Sequence, residues 1–355
     1  MKIFDHNRNG RDPAVRGPAL ALVGCGAIAE SFYLPALAKA GLLGQLVLVD
    51  RDGHRVDTLG SAYGIARRAS DYTDVLGKVD GVIVAVPHHL HHDISVDFLR
   101  SGVHTLCEKP LAETAAQLRS MISVACEGGV QLAVNNTRRL FPSYRKVEEL
   151  IASKQFGEVK SIAYYEGGEF SWPTSSGFYF SSEFGGKGVL LDRGAHVVDL
   201  VCWWMGRKPE LVSFYDDSFG GCEAVCEARL KTAGCNAIIK LSWLNKLRNR
   251  FVVVCEGAEF SGEIYDWRRL TVSRTGASRR EKVVLKTSVR SFGDYADQLV
   301  ANFVDVIRGT ARPLISADDV ADSIDVIEQC YRHRRRFAMP WAATPDAAGV
   351  AADVR

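Results

Sequence analysis

The segment from Ala19 to Leu37 constrains the fold more than any other. An uninterrupted apolar run at 19–23 ends in Gly24-Cys25-Gly26, and helical apolar spacing (Ile28, Phe32, Leu34, Leu37) begins at once. A run that is apolar at every position suits a strand buried on both faces, which is the habit of parallel sheets. Two glycines one residue apart then allow a turn tight enough to set the strand's end against the start of a helix. The same grammar continues downstream. Short apolar runs at 46–49, 82–86, 105–107 and 131–134 alternate with helical stretches near 54–63, 91–101 and 113–128. Strands alternating with helices predict βαβ units and a parallel, doubly wound α/β sheet over residues 18–138.

Beyond Arg139 the pattern changes. A helix near 144–154, a strand at 159–166 and a helix at 189–205 precede strand-like runs at 211–215, 224–230, 237–244, 251–255, 270–273 and 283–285. Strands following strands predict a largely antiparallel open sheet, hence an α+β second domain over 139–340, closed by helices near 292–308 and 317–335. A length of 355 residues accommodates two domains. The polar segment 1–17 and the small-residue segment 341–355 read as loose tails.

Composition narrows the function. Forty-four Lys+Arg against 42 Asp+Glu leave a net charge of +2, which gives no global basis for a nucleic-acid partner. Nine scattered cysteines include no CxxC pair, so they read as free thiols of a reducing, cytoplasmic setting. Basic residues ahead of the run 19–29, which ends Ala27-Ile28-Ala29, imitate a secretory signal, but cleavage there would delete the first strand. No apolar stretch is long enough to predict a membrane span.

Gly24-Cys25-Gly26-Ala27-Ile28-Ala29 is GxGxxA, the dinucleotide fingerprint. Gly24 permits the turn, Gly26 lets the backbone approach a pyrophosphate, and Ala27 and Ile28 open the helix whose N-terminus favours phosphate. Asp50 follows at the end of the next strand, placed to bond ribose hydroxyls. A carboxylate there repels a 2′-phosphate and favours NAD; the adjacent Arg51 keeps NADP open. Lys109 ends a buried strand, at the edge where open α/β sheets bind ligands. Asp192 and His196 are four residues apart and share one helix face, so the carboxylate is expected to orient the imidazole and raise its pKa. His88, His89, His91 and His92 cluster without the further ligands a metal needs, and no metal is expected.

The strings GCGAIA, VDGVIVAVPHHLHH, CEKPLA and GGKGVLLDRGAHVVDL, in that order, resemble the Gfo/Idh/MocA oxidoreductase family over residues 18 to about 340. The resemblance implies an N-terminal Rossmann domain, a C-terminal domain whose sheet makes a homodimer or homotetramer, and NAD(P)-dependent exchange of hydride with a hydroxyl-bearing carbon of a sugar, cyclitol or related molecule, nucleotide- or phosphate-linked forms included. By position it makes Lys109, Asp192 and His196 catalytic and gives Pro87, His88, His91, Glu108 and Lys109 to the cofactor, with His88 standing where the family usually has Asn. Arg139 falls in its arginine-bearing junction segment. Tyr164, Trp172 and Tyr179, with Lys109, Arg139, Asp192 and His196, are the candidate substrate contacts. Two alternative readings share these residues: an NAD-dependent glycoside hydrolase of the same fold, and a non-catalytic NAD(P)-binding sensor.

Overall fold

The computed structural model describes residues 17–174, 177–181, 187–218 and 221–338. Most of the N-terminal tail, Gly185-Gly186 and the segment 341–355 lie outside the described residues.

The first sheet is built from β1 (Leu20–Val23), β2 (Leu46–Val49), β3 (Arg67–Ala69), β4 (Gly81–Val84), β5 (His104–Glu108) and β6 (Leu132–Asn135). The connections carry helices α1 (Leu34–Lys39), α2 (Gly53–Ala62), α3 (His91–Arg100) and α4 (Ala115–Gly128). All neighbours are parallel and the order is β3-β2-β1-β4-β5-β6, so the chain reverses direction between β1 and β4. That reversal opens a crevice at the carboxyl ends of the strands. Side-chain caps set where the helices start. Asp52 accepts from the backbone N–H of His54 and Arg55 ahead of α2, and Thr114 accepts from Gln117 ahead of α4.

Two features escape a periodicity reading. β3 contributes two exposed arginines at the sheet edge, where no apolar run is required. The helix after the glycine turn opens at Ala27-Ile28 and widens at once into a π-helical turn, Ala29–Tyr33, before α1. Its wider winding buries Tyr33 against the sheet.

Gly24 sits at φ +100°, and a Cβ there would lie 2.3 Å from the carbonyl oxygen of Ala85. Strand end and helix start therefore close up only on glycine. Gly24→Ala should lower stability by ~1–3 kcal/mol, the usual cost of a strained backbone, and weaken dinucleotide binding; urea unfolding and calorimetric titration check both.

The second sheet has nine strands. They are β7 (Val159–Gly167), β8 (Glu210–Asp216), β9 (Val225–Lys231), β10 (Asn236–Ser242), β11 (Arg250–Cys255), β12 (Ala258–Glu263), β13 (Arg269–Arg274), β14 (Glu281–Val284) and β15 (Arg334–Arg336). The order is β14-β13-β12-β11-β7-β10-β9-β8-β15, antiparallel except for the parallel pairs β7–β10 and β8–β15. Burial alternates along the strands. Ile162, Tyr164, Ile239, Leu241, Phe251 and Val253 face inward, while Val252, Ile238 and Tyr165 stay half-buried on the other side. The inward face is covered by α6 (Val189–Met205), apolar nearly all round, which follows α5 (Pro142–Ala152). At Gly194 a Cβ would stand 3.1 Å from Leu241, so the glycine lets α6 press onto β10. The chain then returns to the first sheet. In α7 (Asp294–Ile307), Phe303 and Ile307 pack under Gly81 at the start of β4, and Val134 of β6 bonds to Ile315. α8 (Ala321–Arg332) closes the second half. β12 and β15 were not foreseeable from apolar pattern, since AEFSGE and RRR take strand form only through their neighbours.

Candidate active site

One cavity of about 1010 Å³ runs along the carboxyl ends of the parallel strands and on between the two sheets. Its nucleotide end is lined by Gly24, Gly26, Ala27, Ile28, Asp50 and Arg51, and its far end by residues of the second sheet and α6. The Asp50 carboxylate accepts from Cys25 N at 2.7 Å and from Asp52 N at 2.9 Å, so it is fixed at the lip of the glycine turn. Asp71, anchored by the backbone and hydroxyl of Thr73, adds a second carboxylate to that end. A glycine with no room for a Cβ, a helix start open to the cavity and carboxylates beyond it form a donor and acceptor set that fits a dinucleotide.

Between the two ends stand Pro87, His88, Glu108 and Lys109. Glu108 is buried. It accepts from Tyr33 Oη at 2.7 Å and from Asn135 Nδ2 at 2.6 Å, which explains why the π-helical turn places Tyr33 where it does. Burial pushes the Glu108 carboxyl upward, and these two donors act against the shift. His91 does not line the cavity. Its ring is fully buried, with Nδ1 2.7 Å from Pro110 O and Nε2 2.9 Å from Val86 O, so it ties the β4 and β5 loops together rather than meeting a cofactor. Among the described residues no His/Cys/Asp/Glu group is arranged to hold a metal.

Lys109 and α6 meet at the junction. Lys109 Nζ lies 2.8 Å from Asp192 Oδ1 and donates to the Asp192 carbonyl at 3.0 Å. Asp192 Oδ2 accepts from Trp243 Nε1 at 3.2 Å. The expected Asp192–His196 pair is therefore absent: the carboxylate is held by Lys109 and Trp243. His196 is instead bonded through Nδ1 to Asn136 Oδ1 at 2.7 Å. An amide oxygen can only accept, so Nδ1 carries the hydrogen and Nε2 is the basic nitrogen. The expected rise in pKa is also reversed. Burial, then the charges of Lys109 and Arg138, hold the imidazole well below its ordinary 6.5. Asn136, Trp243 and Tyr265 are residues a sequence reading passes over. The one available signal was the polar pair Asn135-Asn136 at the carboxyl end of a buried strand.

The substrate candidates divide. Trp172 and Tyr179 line the cavity, as do Arg138 and Glu166. Tyr164 is fully buried behind that wall, bonded to Tyr144 at 2.9 Å and to Arg138 at 3.2 Å, so it supports the wall and does not face the cavity. Arg139 points away as well, pairing with Asp199 at 2.8 Å and with the Asp319 carbonyl, under the ring of Trp203. Consecutive arginines on the 3-10 turn Thr137–Leu140 take opposite sides, and Arg138 has the cavity. Asp199 is 1% exposed, so Arg139→Ala leaves a buried carboxylate unpaired. That change should destabilise the protein by roughly 3–5 kcal/mol in urea unfolding.

Comparisons with known proteins bear on the family and the fold. A profile described as an oxidoreductase family with an NAD-binding Rossmann fold matches residues 19–136, and the GFO/IDH/MocA C-terminal domain profile matches 144–261. Trans-1,2-dihydrobenzene-1,2-diol dehydrogenase of Xenopus laevis is 31% identical over 192 residues, covering 53% of this chain and 57% of that protein. The first curated relatives are each spanned over only 56–58% of their own length. Two solved structures share the fold. The 3-ketoreductase KijD10 of Actinomadura kijaniata, in complex with NADP and TDP-benzene, superposes with a TM-score of 0.77 at 21% identity, over 90% of this chain and 99% of its own. Levoglucosan dehydrogenase in complex with NADH gives 0.76 at 17%, over 89% and 97%. With both halves matched in order, the chain belongs to the Gfo/Idh/MocA oxidoreductase family, its first half an NAD-binding Rossmann fold.

Proposed function

We propose that this protein is a nicotinamide-dependent oxidoreductase that exchanges a hydride with a hydroxyl- or carbonyl-bearing carbon of a sugar, cyclitol or related polyol. The observation that carries the reading is the convergence of Lys109, from the end of β5, and His196, from α6, on the cavity that also holds the glycine turn. Bound there, the nicotinamide supplies the hydride acceptor or donor.

The chain's own groups have distinct tasks. Lys109, fixed by two bonds to Asp192, presents its ammonium to the substrate oxygen and stabilises the alkoxide that develops during oxidation. His196 Nε2 takes the hydroxyl proton, and Asn136 keeps the ring in the tautomer that can do so. Asp192 is a positioning residue for Lys109, not for the imidazole. Arg138, held bidentately by Glu166, supplies donors for the remaining hydroxyls, and Tyr265, whose own proton goes to the same carboxylate, offers its oxygen as an acceptor. The test is reduction of NAD and NADP by a panel of sugars and cyclitols, read at the reduced-nicotinamide absorbance. Sugar release with no net reduced cofactor would instead favour the hydrolase, and cofactor binding with no turnover on any polyol the sensor.

NAD is the preferred cofactor in this reading, because Asp50 and Asp71 place two carboxylates at the nucleotide end. Asp50→Asn removes one charge while keeping an acceptor for Cys25 N. It should raise the NADP-to-NAD ratio of kcat/KM by about tenfold, the equivalent of 1.4 kcal/mol of relieved repulsion. An unchanged ratio would remove Asp50 from cofactor choice. The half-buried outer face of the second sheet, with Tyr165, Ile238 and Val252, suits a self-association surface; light scattering giving only a monomer would reject it.

A further inference from the structure

Lys109, Arg138 and Arg193 line the substrate end of the cavity, and they are not equally matched. Lys109 is paired with Asp192 at 2.8 Å. Arg138 is paired with the 1%-exposed Glu166. Arg193 is held differently. Its Nη1 donates to the Ser242 carbonyl at 2.7 Å and its Nη2 to the Glu169 carbonyl at 3.4 Å. Those oxygens fix the guanidinium but belong to neutral groups, and no carboxylate among the described residues bonds to it. A guanidinium presents more N–H donors than two carbonyls take up. The rest have no protein acceptor among the described residues.

Two observations set Arg193 beside the reacting groups. It follows Asp192 directly in α6 and lies three residues before His196, and side chains at that spacing are neighbours on one helix face. Tyr265, which lines the same cavity, locates it from the second sheet. Burial and then Glu166 push the Tyr265 phenol up, while Arg138 and Arg193 both pull it down. Tyr265 therefore feels two guanidiniums against one carboxylate. Around the reacting position two ion pairs cancel and one positive charge is left over, on a half-buried side chain. Holding a cation there without a counter-charge is costly, and an anionic ligand removes the cost.

Taking the cavity as the place where the polyol reacts, we propose that the substrate is an acidic polyol, whose carboxylate pairs with Arg193 while its reacting hydroxyl meets Lys109 and His196. The planar guanidinium fork matches a carboxylate in shape. A single spare charge matches a monoanion. A dianionic phosphate exceeds it, and could recruit Arg138 only by leaving the buried Glu166 alone.

The test measures kcat/KM, with NAD in excess, for a hexose, its uronate, its aldonate, the primary amides of both acids and the hexose phosphate, in the gluco, galacto and manno series. At least one acid should exceed its own amide, and the phosphate, by on the order of tenfold. Arg193→Gln should bring the acid-to-amide ratio close to one. Arg193→Lys, which keeps the charge without the fork, should retain part of it. A ratio taken within one variant cancels any general damage from losing the Ser242 and Glu169 bonds. The uronate leading identifies a ring-borne carboxylate; the aldonate leading identifies an open-chain acid. Equal values for acid and amide, a preference for the phosphate, or a ratio untouched in Arg193→Gln would overturn the inference and leave the redox reading standing. If no compound reduces NAD yet calorimetry shows an acid binding the protein in the presence of NAD, and that binding is lost in Arg193→Gln, the carboxylate site stands and the redox reading falls. Absence of both turnover and binding overturns the two together.

Discussion

Lys109→Met should lower kcat by on the order of 10²–10³, the loss seen when a donor aimed at a developing oxyanion is removed, while the affinity for dinucleotide changes little. The reasoning is geometric. The Nζ of Lys109 is held between the carbonyl and carboxylate of Asp192, at 3.0 and 2.8 Å, with 15% of its side chain exposed. An ammonium so fixed needs no reorganisation when charge appears on the substrate oxygen. Methionine keeps the length and the apolar stem but removes the charge, and it leaves Asp192 with Trp243 alone. Pairing Lys109→Met with Asp192→Asn separates the two consequences. Structural damage from the unpaired carboxylate should be relieved in the double variant, as read by urea unfolding, while turnover stays low. Steady-state kinetics beside calorimetric titration of NAD make the check. A variant that keeps near-normal kcat would take Lys109 out of the chemistry.

His196→Asn should cost ~10²–10⁴ in turnover, the usual contribution of a positioned acid or base. The pH profile distinguishes that role from mere packing. Burial and two neighbouring cations hold the imidazole well below 6.5 in the folded protein. Its neutral form, the one able to accept a proton, therefore persists to pH values below 6.5. In the oxidation direction kcat/KM should stay flat as pH falls to that point and decline only beneath it. In the reduction direction the same group must donate, so the rate should rise as pH falls. Asn136→Leu should disturb this profile without removing the imidazole, because the ring loses the acceptor that keeps the proton on Nδ1. An acid limb unmoved in Asn136→Leu would show that the titration belongs to another group.

Much of the fold was legible because it is written in local pattern. Runs such as 46–49 and 82–86 are apolar at every position, since both faces of their strands are covered by helices, and the strands of the second sheet alternate because one face is free. β3, β12 and β15 were not legible, because arginines at an edge and a Gly-Ser-containing strand are ordered by neighbours that composition does not reveal. The site shows the same division. Residues fixed by position along one strand or turn, Gly24, Asp50 and Lys109, were found from spacing and line the cavity. Contacts that depend on how the two halves meet were misjudged. Asp192 and His196 do share a helix face, yet each finds its partner across the junction, in Lys109 and in Asn136. Arg138 and Arg139 are indistinguishable in sequence, and only the turn that carries them decides which one faces the cavity. His91 was credited with a cofactor contact by its position in the family pattern and Tyr164 with a substrate contact by type, whereas both bond to polar groups of the protein itself.

The most direct test of the account follows the hydride. A polyol bearing deuterium on the carbon that is oxidised should be incubated with the protein and NAD, and the recovered nicotinamide examined by mass spectrometry. Direct exchange within one cavity predicts one deuterium on the reduced ring and none lost to water, with the label absent in Lys109→Met over the same interval. Reduced cofactor carrying only solvent hydrogen, or labelled cofactor formed as fast without the lysine, would contradict it.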